Sequence, residues 1–357
     1  MKKYIIIGLL ILLIGSMVIV PMLKGRNSVE EVEAATFAFS ENLATNWDQA
    51  IALEINVNSD DIVKLELIYN DSLYKTWKNP KGKIMLPFNA GFYGLGARSI
   101  SLVSTMSNGD VLSDDRVVRV LSDVIPEVWI AKVANSYPHN IGSFTEGLEF
   151  HQGQLYESTG LKGQSMIAQT DLNSGAISTT KIIRLDENYF GEGITFFGDK
   201  IYQLTYTEQK CFVYNKKTFQ MEKEIPYIGE GWGLCNDGKS IIMSNGTERI
   251  TFRNPNTFAI ERTVEVYDHK GPFVEINELE YIDGKIYANV WKSNQVLVIE
   301  PLNGKVLATI DCNEIATSGR GLGEVMNGIA QNNGKIYMTG KNWEKLMEVT
   351  ITKPSKE

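Results

Sequence analysis

The chain opens with an almost unbroken apolar run, Tyr4 to Val20, preceded by Lys2 and Lys3 and followed by Pro21-Met22-Leu23. Residues 1–25 therefore read as a targeting segment, either a secretory signal or a single membrane anchor. The run is long for a signal. Its one small-residue cleavage site, Val32-Glu33-Ala34, lies well downstream, and no Cys follows for lipid attachment. The expectation is an uncleaved anchor with the rest of the chain exported, or a periplasmic or secreted protein if the segment is removed. Lys24 and Arg26 on the far side weaken the charge asymmetry, so orientation is inferred mainly from the character of the downstream chain.

Residues 27–35 are polar and carry Glu30, Glu31 and Glu33, as a linker would. From 36 to 122 the pattern changes to short alternating runs. In Ile62 to Tyr69, Val63, Leu65, Leu67 and Tyr69 are set to face one way, with Lys64 and Glu66 opposite. Gly82 to Phe88, Ala97 to Met106 and Asp110 to Leu121 follow, separated by turn residues such as Asn79-Pro80 and Ser107-Asn108-Gly109. Such spacing predicts a small antiparallel β-sandwich of immunoglobulin-like type over 36–122. It carries no visible chemistry, so it reads as a spacer or interaction module.

Beyond Pro126 the chain repeats, over 127–352. Units open at Gly147-Leu148-Glu149-Phe150, Gly193-Ile194-Thr195-Phe196, Gly233-Leu234-Cys235-Asn236, Glu278-Leu279-Glu280-Tyr281 and Gly328-Ile329-Ala330-Gln331. Each continues through a turn into a second strand, and most into further strands. Five units of roughly 40–50 residues with about four strands each predict a five-bladed β-propeller. The whole fold is thus expected to be all-β. The last unit runs out after Lys345 to Ile351, so Glu127 to Ala134 is the expected donor of its missing outer strand.

Composition narrows the function. At 43% hydrophobic and 22% charged residues, 357 positions can bury a sizeable core. A formal charge of −8 without a basic cluster excludes nucleic acid as a partner. Cys211, Cys235 and Cys312 have no metal or disulfide spacing, and His139, His151 and His269 are scattered. No metal site or cofactor is therefore expected.

The chemistry lies in the register of the repeat. The residues just before each opening strand are Glu146, Glu192, Trp232, Asn277 and Asn327; nine positions on come Leu155, Ile201, Ile241, Ile286 and Ile336. Fourteen positions on come Gly160, Tyr206, Gly246, Trp291 and Lys341. In an antiparallel hairpin the start of the first strand and the end of the second lie together, so both rings should line one mouth of the central channel. Singly, each has an ordinary structural explanation: Glu192 with Lys341 as a buried ion pair, the Trp residues as packing, the Asn residues as loop bonds. Their convergence favours a site.

The motifs Phe144-Thr145-Glu146-Gly147-Leu148, Tyr189-Phe190-Gly191-Glu192-Gly193, Gly231-Trp232-Gly233-Leu234, Asn277-Glu278-Leu279-Glu280-Tyr281, Ala288-Asn289-Val290-Trp291, Asn327-Gly328-Ile329-Ala330 and Thr339-Gly340-Lys341 together resemble the plant-type glutamine cyclotransferases. The resemblance runs from Tyr137-Pro138-His139 to Lys341-Asn342-Trp343 and also takes in Glu157-Ser158-Thr159-Gly160-Leu161. It implies a five-bladed propeller enzyme that converts N-terminal glutamine of peptides or proteins to pyroglutamate with loss of ammonia. It further implies Glu192 as proton shuttle, Asn277 and Lys341 assisting at the carbonyl, and Trp232 and Trp291 as pocket walls. Glu146, Tyr206 and Asn327 complete the expected substrate contacts. Two positions depart from the family pattern: Glu146 stands in place of a glutamine, and Tyr206 in place of a pocket tryptophan.

A competing expectation is a propeller that binds peptide N-termini without turnover. Glu146 motivates it, since two carboxylates beside each other can hold an ammonium group.

Overall fold

The structure, a computed structural model, describes residues 33–39 and 42–354. The apolar run at 1–25 lies outside them. No helix among the described residues is long and apolar enough to cross a membrane.

Residues 35 to 121 form two sheets over one core. A three-stranded sheet runs Ala35–Phe37, Ala50–Val57, Gly82–Asn89; a five-stranded sheet runs Asn42–Asn46, Val111–Leu121, Gly96–Met106, Ile62–Tyr69, Ser72–Lys78. Leu53, Ile55, Leu65, Leu67, Phe88, Ile100, Leu102 and Val118 fill the space between them. The expected antiparallel pattern needs one correction: Asn42–Asn46 pairs in parallel with Val111–Leu121. Val63 also departs from its expected face. A register shift between Ile62 and Lys64 turns Val63 outward, 40% exposed, and places Ile62 in the core instead.

The remainder is built from four-stranded antiparallel units. Three are separate sheets: Thr145–His151 to Ile177–Arg184, Gly191–Phe197 to Met221–Pro226, and Leu234–Asn236 to Ile260–Glu265. The inner strand of each unit packs on that of the next. The series continues through Ile276–Ile282 to Met326–Asn332, which packs back on Thr145–His151 and closes a ring. The protein is therefore all-β and propeller-like.

Closure depends on the strand Glu127–Pro138. It pairs antiparallel with Lys345–Thr352, from Ile130↔Thr352 to Pro138↔Lys345, as its position before the first unit predicts. It does more than the sequence leads one to expect. Its first residues also pair in parallel with Val306–Asp311, so the last two units fuse into one eight-stranded sheet. One helix, Asn313–Gly319, interrupts the strand pattern between them and buries Ile315 and Ala316. Its Glu314 accepts from Lys132 Nζ (2.8 Å) and from the Val133 amide (3.1 Å), fixing the middle of the closing strand.

The two-sheet unit is held against the ring. Tyr267 joins its core, the Ser122 amide donates to Asp268 O, and Arg98 meets Glu265 at 3.2 Å.

Ala131 is fully buried in the closing strand, whereas Val128 is 64% exposed. Ala131→Asp buries an unpaired charge and should lower unfolding stability by about 3 kcal/mol or more. Val128→Asp should stay within about 0.5 kcal/mol of wild type. Chemical denaturation of both variants checks this; equal stabilities would contradict the closing role.

Candidate active site

The first ring of site residues sits on irregularities in the inner strands. Register shifts fall between Thr145 and Gly147, Gly191 and Ile194, Ile276 and Leu279, and Met326 and Ile329. Glu146, Glu192, Asn277 and Asn327 lie within these shifts. A bulge leaves its extra residue out of the ladder and redirects its side chain, so four units aim a polar group at one end of the channel. Trp232 lies two residues before its strand, Leu234–Asn236, and its amide donates to Ser244 O.

The glycine after Glu192 is required by close approach. A side chain at Gly193 would strike the backbone of Trp232 and Leu234 in the next unit. Neither Gly191 nor Gly193 has positive φ. The glycines beside Glu192 thus serve packing between units. In the second ring, Gly160 and Gly246 leave the space that the Phe190 and Trp232 rings fill.

A pocket of about 240 Å³ opens where the two rings meet. Glu146, Glu192, Tyr206, Trp232, Asn277, Trp291 and Lys341 all line it. Asn327 does not. It sits behind, donating from Nδ2 to Glu146 Oε2 (3.2 Å) and to Thr145 O (3.0 Å).

One wall is an arc of aromatic rings in edge or tilted contact. Phe144 meets Phe190 (centroids 6.2 Å apart), Phe190 meets Tyr206 (5.8 Å), Tyr206 meets Trp232 (6.4 Å), and Trp232 meets Trp291 (5.7 Å, 86°). Glu230 steadies the arc by accepting from Trp232 Nε1 at 3.0 Å. Burial raises the Tyr206 phenol above its usual range, and the Glu230 carboxylate beside it adds to the shift.

The floor is polar and nearly dry. Glu146, Glu192, Asn277 and Lys341 are each no more than 6% exposed. Lys341 Nζ lies 2.6 Å from Glu146 Oε1 and 4.6 Å from the Phe144 ring centre. The ordinary alternative of a Glu192–Lys341 ion pair is not what forms: the lysine's partner is Glu146. Burial, and then the charge of Glu146, push the Glu192 carboxyl well above its usual range, against the opposing pull of Lys341. Burial raises the Glu146 carboxyl too, to about 7, while Lys341 opposes the rise. Lys341 favours the charge on Glu146, so the proton resides on Glu192. Glu192 Oε2 and Asn277 Oδ1 are buried without a hydrogen-bond partner, and both residues line the pocket.

Five contributors were not read from the sequence: Phe144, Phe190, Lys292, Glu324 and Val325 line the pocket as well. Three of them were legible in the repeat. Phe144, Phe190 and Val325 stand two positions before Glu146, Glu192 and Asn327, a third register that also holds Glu230 before Trp232. Among the described residues, no group of three or more His, Cys, Asp or Glu side chains is arranged to hold a metal ion.

The sequence profile of the glutamine cyclotransferase family matches residues 105–351. The chain belongs to this family. It is 32% identical over 234 residues to a glutaminyl-peptide cyclotransferase of Arabidopsis thaliana, covering 63% of this chain and 72% of that protein. The crystal structure of Myxococcus xanthus glutaminyl cyclase superposes with a TM-score of 0.61 at 38% identity, over 65% of this chain and all of that one. As a family member, the chain is an enzyme of the glutaminyl-peptide cyclotransferase type. Most of the two-sheet unit lies outside the family match.

The raised Glu192 carboxyl has a consequence for stability. The folded protein keeps a proton that the unfolded chain loses above about pH 4.3. Stability therefore falls as pH rises from there towards the folded-state value. Glu192→Gln removes this term. Its unfolding midpoint should exceed wild type at pH 8 and match it near pH 4. A variant less stable than wild type at pH 8 would contradict the neutral buried carboxyl.

Proposed function

We propose that this enzyme cyclises the N-terminal glutamine of peptides and proteins to pyroglutamate, with Glu192 moving the proton and Lys341 and Asn277 receiving the developing charge. The observation that carries the reading is the buried Lys341–Glu146 ion pair set beside the Glu192 carboxyl in a pocket of about 240 Å³ walled by aromatic rings.

The nucleophile and the electrophile belong to the same substrate residue. The main task is to fold its side chain back on its own amine. The arc from Phe144 to Trp291 supplies a rigid wall for that fold. Holding reacting atoms in attack geometry can remove several kcal/mol of barrier, on the order of 7 or more in favourable cases. The α-amine titrates near ~7.7–8.0, so a useful fraction is neutral at physiological pH.

The steps balance without any co-reactant. The amine nitrogen bonds to the carboxamide carbon, and the carbonyl pair moves to oxygen. Lys341 Nζ and the Asn277 amide donate to that oxygen, which gains most in a site this dry. Glu192 gives its proton to the departing nitrogen. Its carboxylate then takes the proton that the attacking nitrogen sheds. The carbon–nitrogen bond of the carboxamide breaks, ammonia leaves, and Glu192 is again neutral. The acceptor being internal, this chemistry calls for no cofactor.

In the same reading the ring is a five-bladed propeller over 127–352, and the two-sheet unit over 36–122 is an immunoglobulin-like spacer or interaction module. The apolar run at 1–25 supports an exported protein held at a membrane if the segment is uncleaved. Its substrates would then be exported chains. Binding of an ammonium by two free carboxylates is the weaker reading, because Lys341 already engages Glu146.

Incubation with a Gln-leading peptide should yield a product lighter by one ammonia in mass spectrometry. Glu192→Gln should slow this by roughly 10²–10⁴-fold while the protein stays folded. Undiminished turnover in that variant would refute the assignment. The pH profile should be bell-shaped, its alkaline limb set by the Glu192 carboxyl. Glu146→Gln removes the charge that helps to raise Glu192 and should move that limb to lower pH. An unmoved or upward-shifted limb would contradict the part of Glu146 in raising Glu192.

A further inference from the structure

Behind the pocket lies a second buried cluster that the proposed reaction does not use. His139 follows the closing strand, and Glu157 sits on the second strand of the first unit, Gln154–Thr159. Their side chains are each 2% exposed. His139 Nδ1 lies 2.8 Å from the Trp343 carbonyl oxygen, and Nε2 lies 3.0 Å from Glu157 Oε1. The Glu157 carboxyl also accepts from Thr145 Oγ1 at 2.6 Å and from Ser143 Oγ at 3.0 Å.

The protonation follows from the partners. A main-chain carbonyl only accepts, so Nδ1 carries a proton. The Thr145 and Ser143 hydroxyls donate to the two carboxyl oxygens and hold Glu157 ionised, so Nε2 carries a proton too. His139 is thus an imidazolium paired with a carboxylate. Burial alone would push the histidine down, but Glu157 and the Trp343 carbonyl more than offset it. Burial would raise Glu157, but His139, Thr145 and Ser143 hold it below its usual range. The other charged groups on the segments packed against His139 are Glu146, Asp171, Lys341, Glu344 and Lys345, and the His139 amide donates to Glu344 O at 2.9 Å.

The bonds of this pair fall on two segments. Ser143 and Thr145 lead directly into Glu146. Trp343 follows Lys341 by two residues. The same segments are stitched by the Asn342 amide on Ser143 O (2.7 Å), Asn342 Nδ2 on Ile141 O (2.8 Å) and Thr145 Oγ1 near Gly340 O (3.3 Å). They belong to the first and last units, and they meet only where the ring closes.

We propose that the buried His139–Glu157 ion pair is the positioning element of the active site. It locks Ser143–Glu146 to Gly340–Trp343 and thereby sets the Glu146–Lys341 contact beside Glu192. The proposal rests on the cyclase reading for its catalytic consequence, while its structural content does not.

The experiment compares wild type with His139→Gln and Glu157→Gln. Each is measured for kcat and KM on a Gln-leading peptide, and each for the ¹³C-detected pH titration of the Glu146 and Glu192 carboxyls. A misplaced lysine should lower kcat by roughly 10- to 100-fold. KM should stay near wild type, and both carboxyl titrations should move. Folded variants with wild-type kcat and wild-type titrations, altered only in unfolding midpoint, would overturn the proposal. If wild type itself releases no ammonia, the cyclase reading fails, and the carboxyl titrations still decide the positioning role. If neither variant folds, imidazole ¹⁵N spectra of the wild-type protein decide: two protonated ring nitrogens at pH 8 support the pair, and a neutral tautomer overturns it.

Discussion

The contact between Lys341 Nζ and Glu146 Oε1 joins residues 195 positions apart, and the site exists only while it holds. Neither partner tolerates isolation, since an unpaired charge at that depth would be neutralised or would unfold its surroundings. Burial keeps Glu192 neutral, and the charge on Glu146 adds to it, because a second carboxylate cannot ionise freely beside the first. The ring must therefore close before any of these groups acquires its working state. That closure is provided by one strand, Glu127–Pro138, bonded to both of the last two units.

The same logic runs along the channel below the pocket. Glu278 accepts from the amides of Leu148 and Ile329, and Glu280 from that of Gln331, tying the fourth unit to the first and the fifth. Glu149 accepts from the Phe196 amide with both oxygens, and burial pushes it up to about 8. These carboxyls act as acceptors between units while resisting ionisation. The pocket floor is the outermost layer of this arrangement. There Glu192 and Asn277 each keep one buried oxygen without a hydrogen-bond partner.

Much of this was legible in the sequence because the repeat imposes one register on five units. Glu146, Glu192, Trp232, Asn277, Tyr206, Trp291 and Lys341 could be collected by counting, and the structure gathers all seven around one pocket. Asn327 obeyed the count but turned its amide back to Glu146 and Thr145. The identity of Lys341's partner was not legible: two glutamates stand at equivalent positions, and which one a flexible side chain reaches depends on geometry between the first and last units. Val63 was misplaced for a related reason, because a bulge shifts facing without altering the local alternation. The helix Asn313–Gly319 is too short to announce a period of its own. The parallel edge strand Asn42–Asn46 is set by what lies beside it and by nothing in its own pattern.

The central claim is that Glu192 rests as a neutral acid, ready to protonate the departing nitrogen. Infrared difference spectroscopy between wild type and Glu192→Gln at pH 7.5 tests it most directly. The account predicts loss of a carbonyl stretch belonging to a protonated carboxylic acid. Loss of a carboxylate band alone would contradict it.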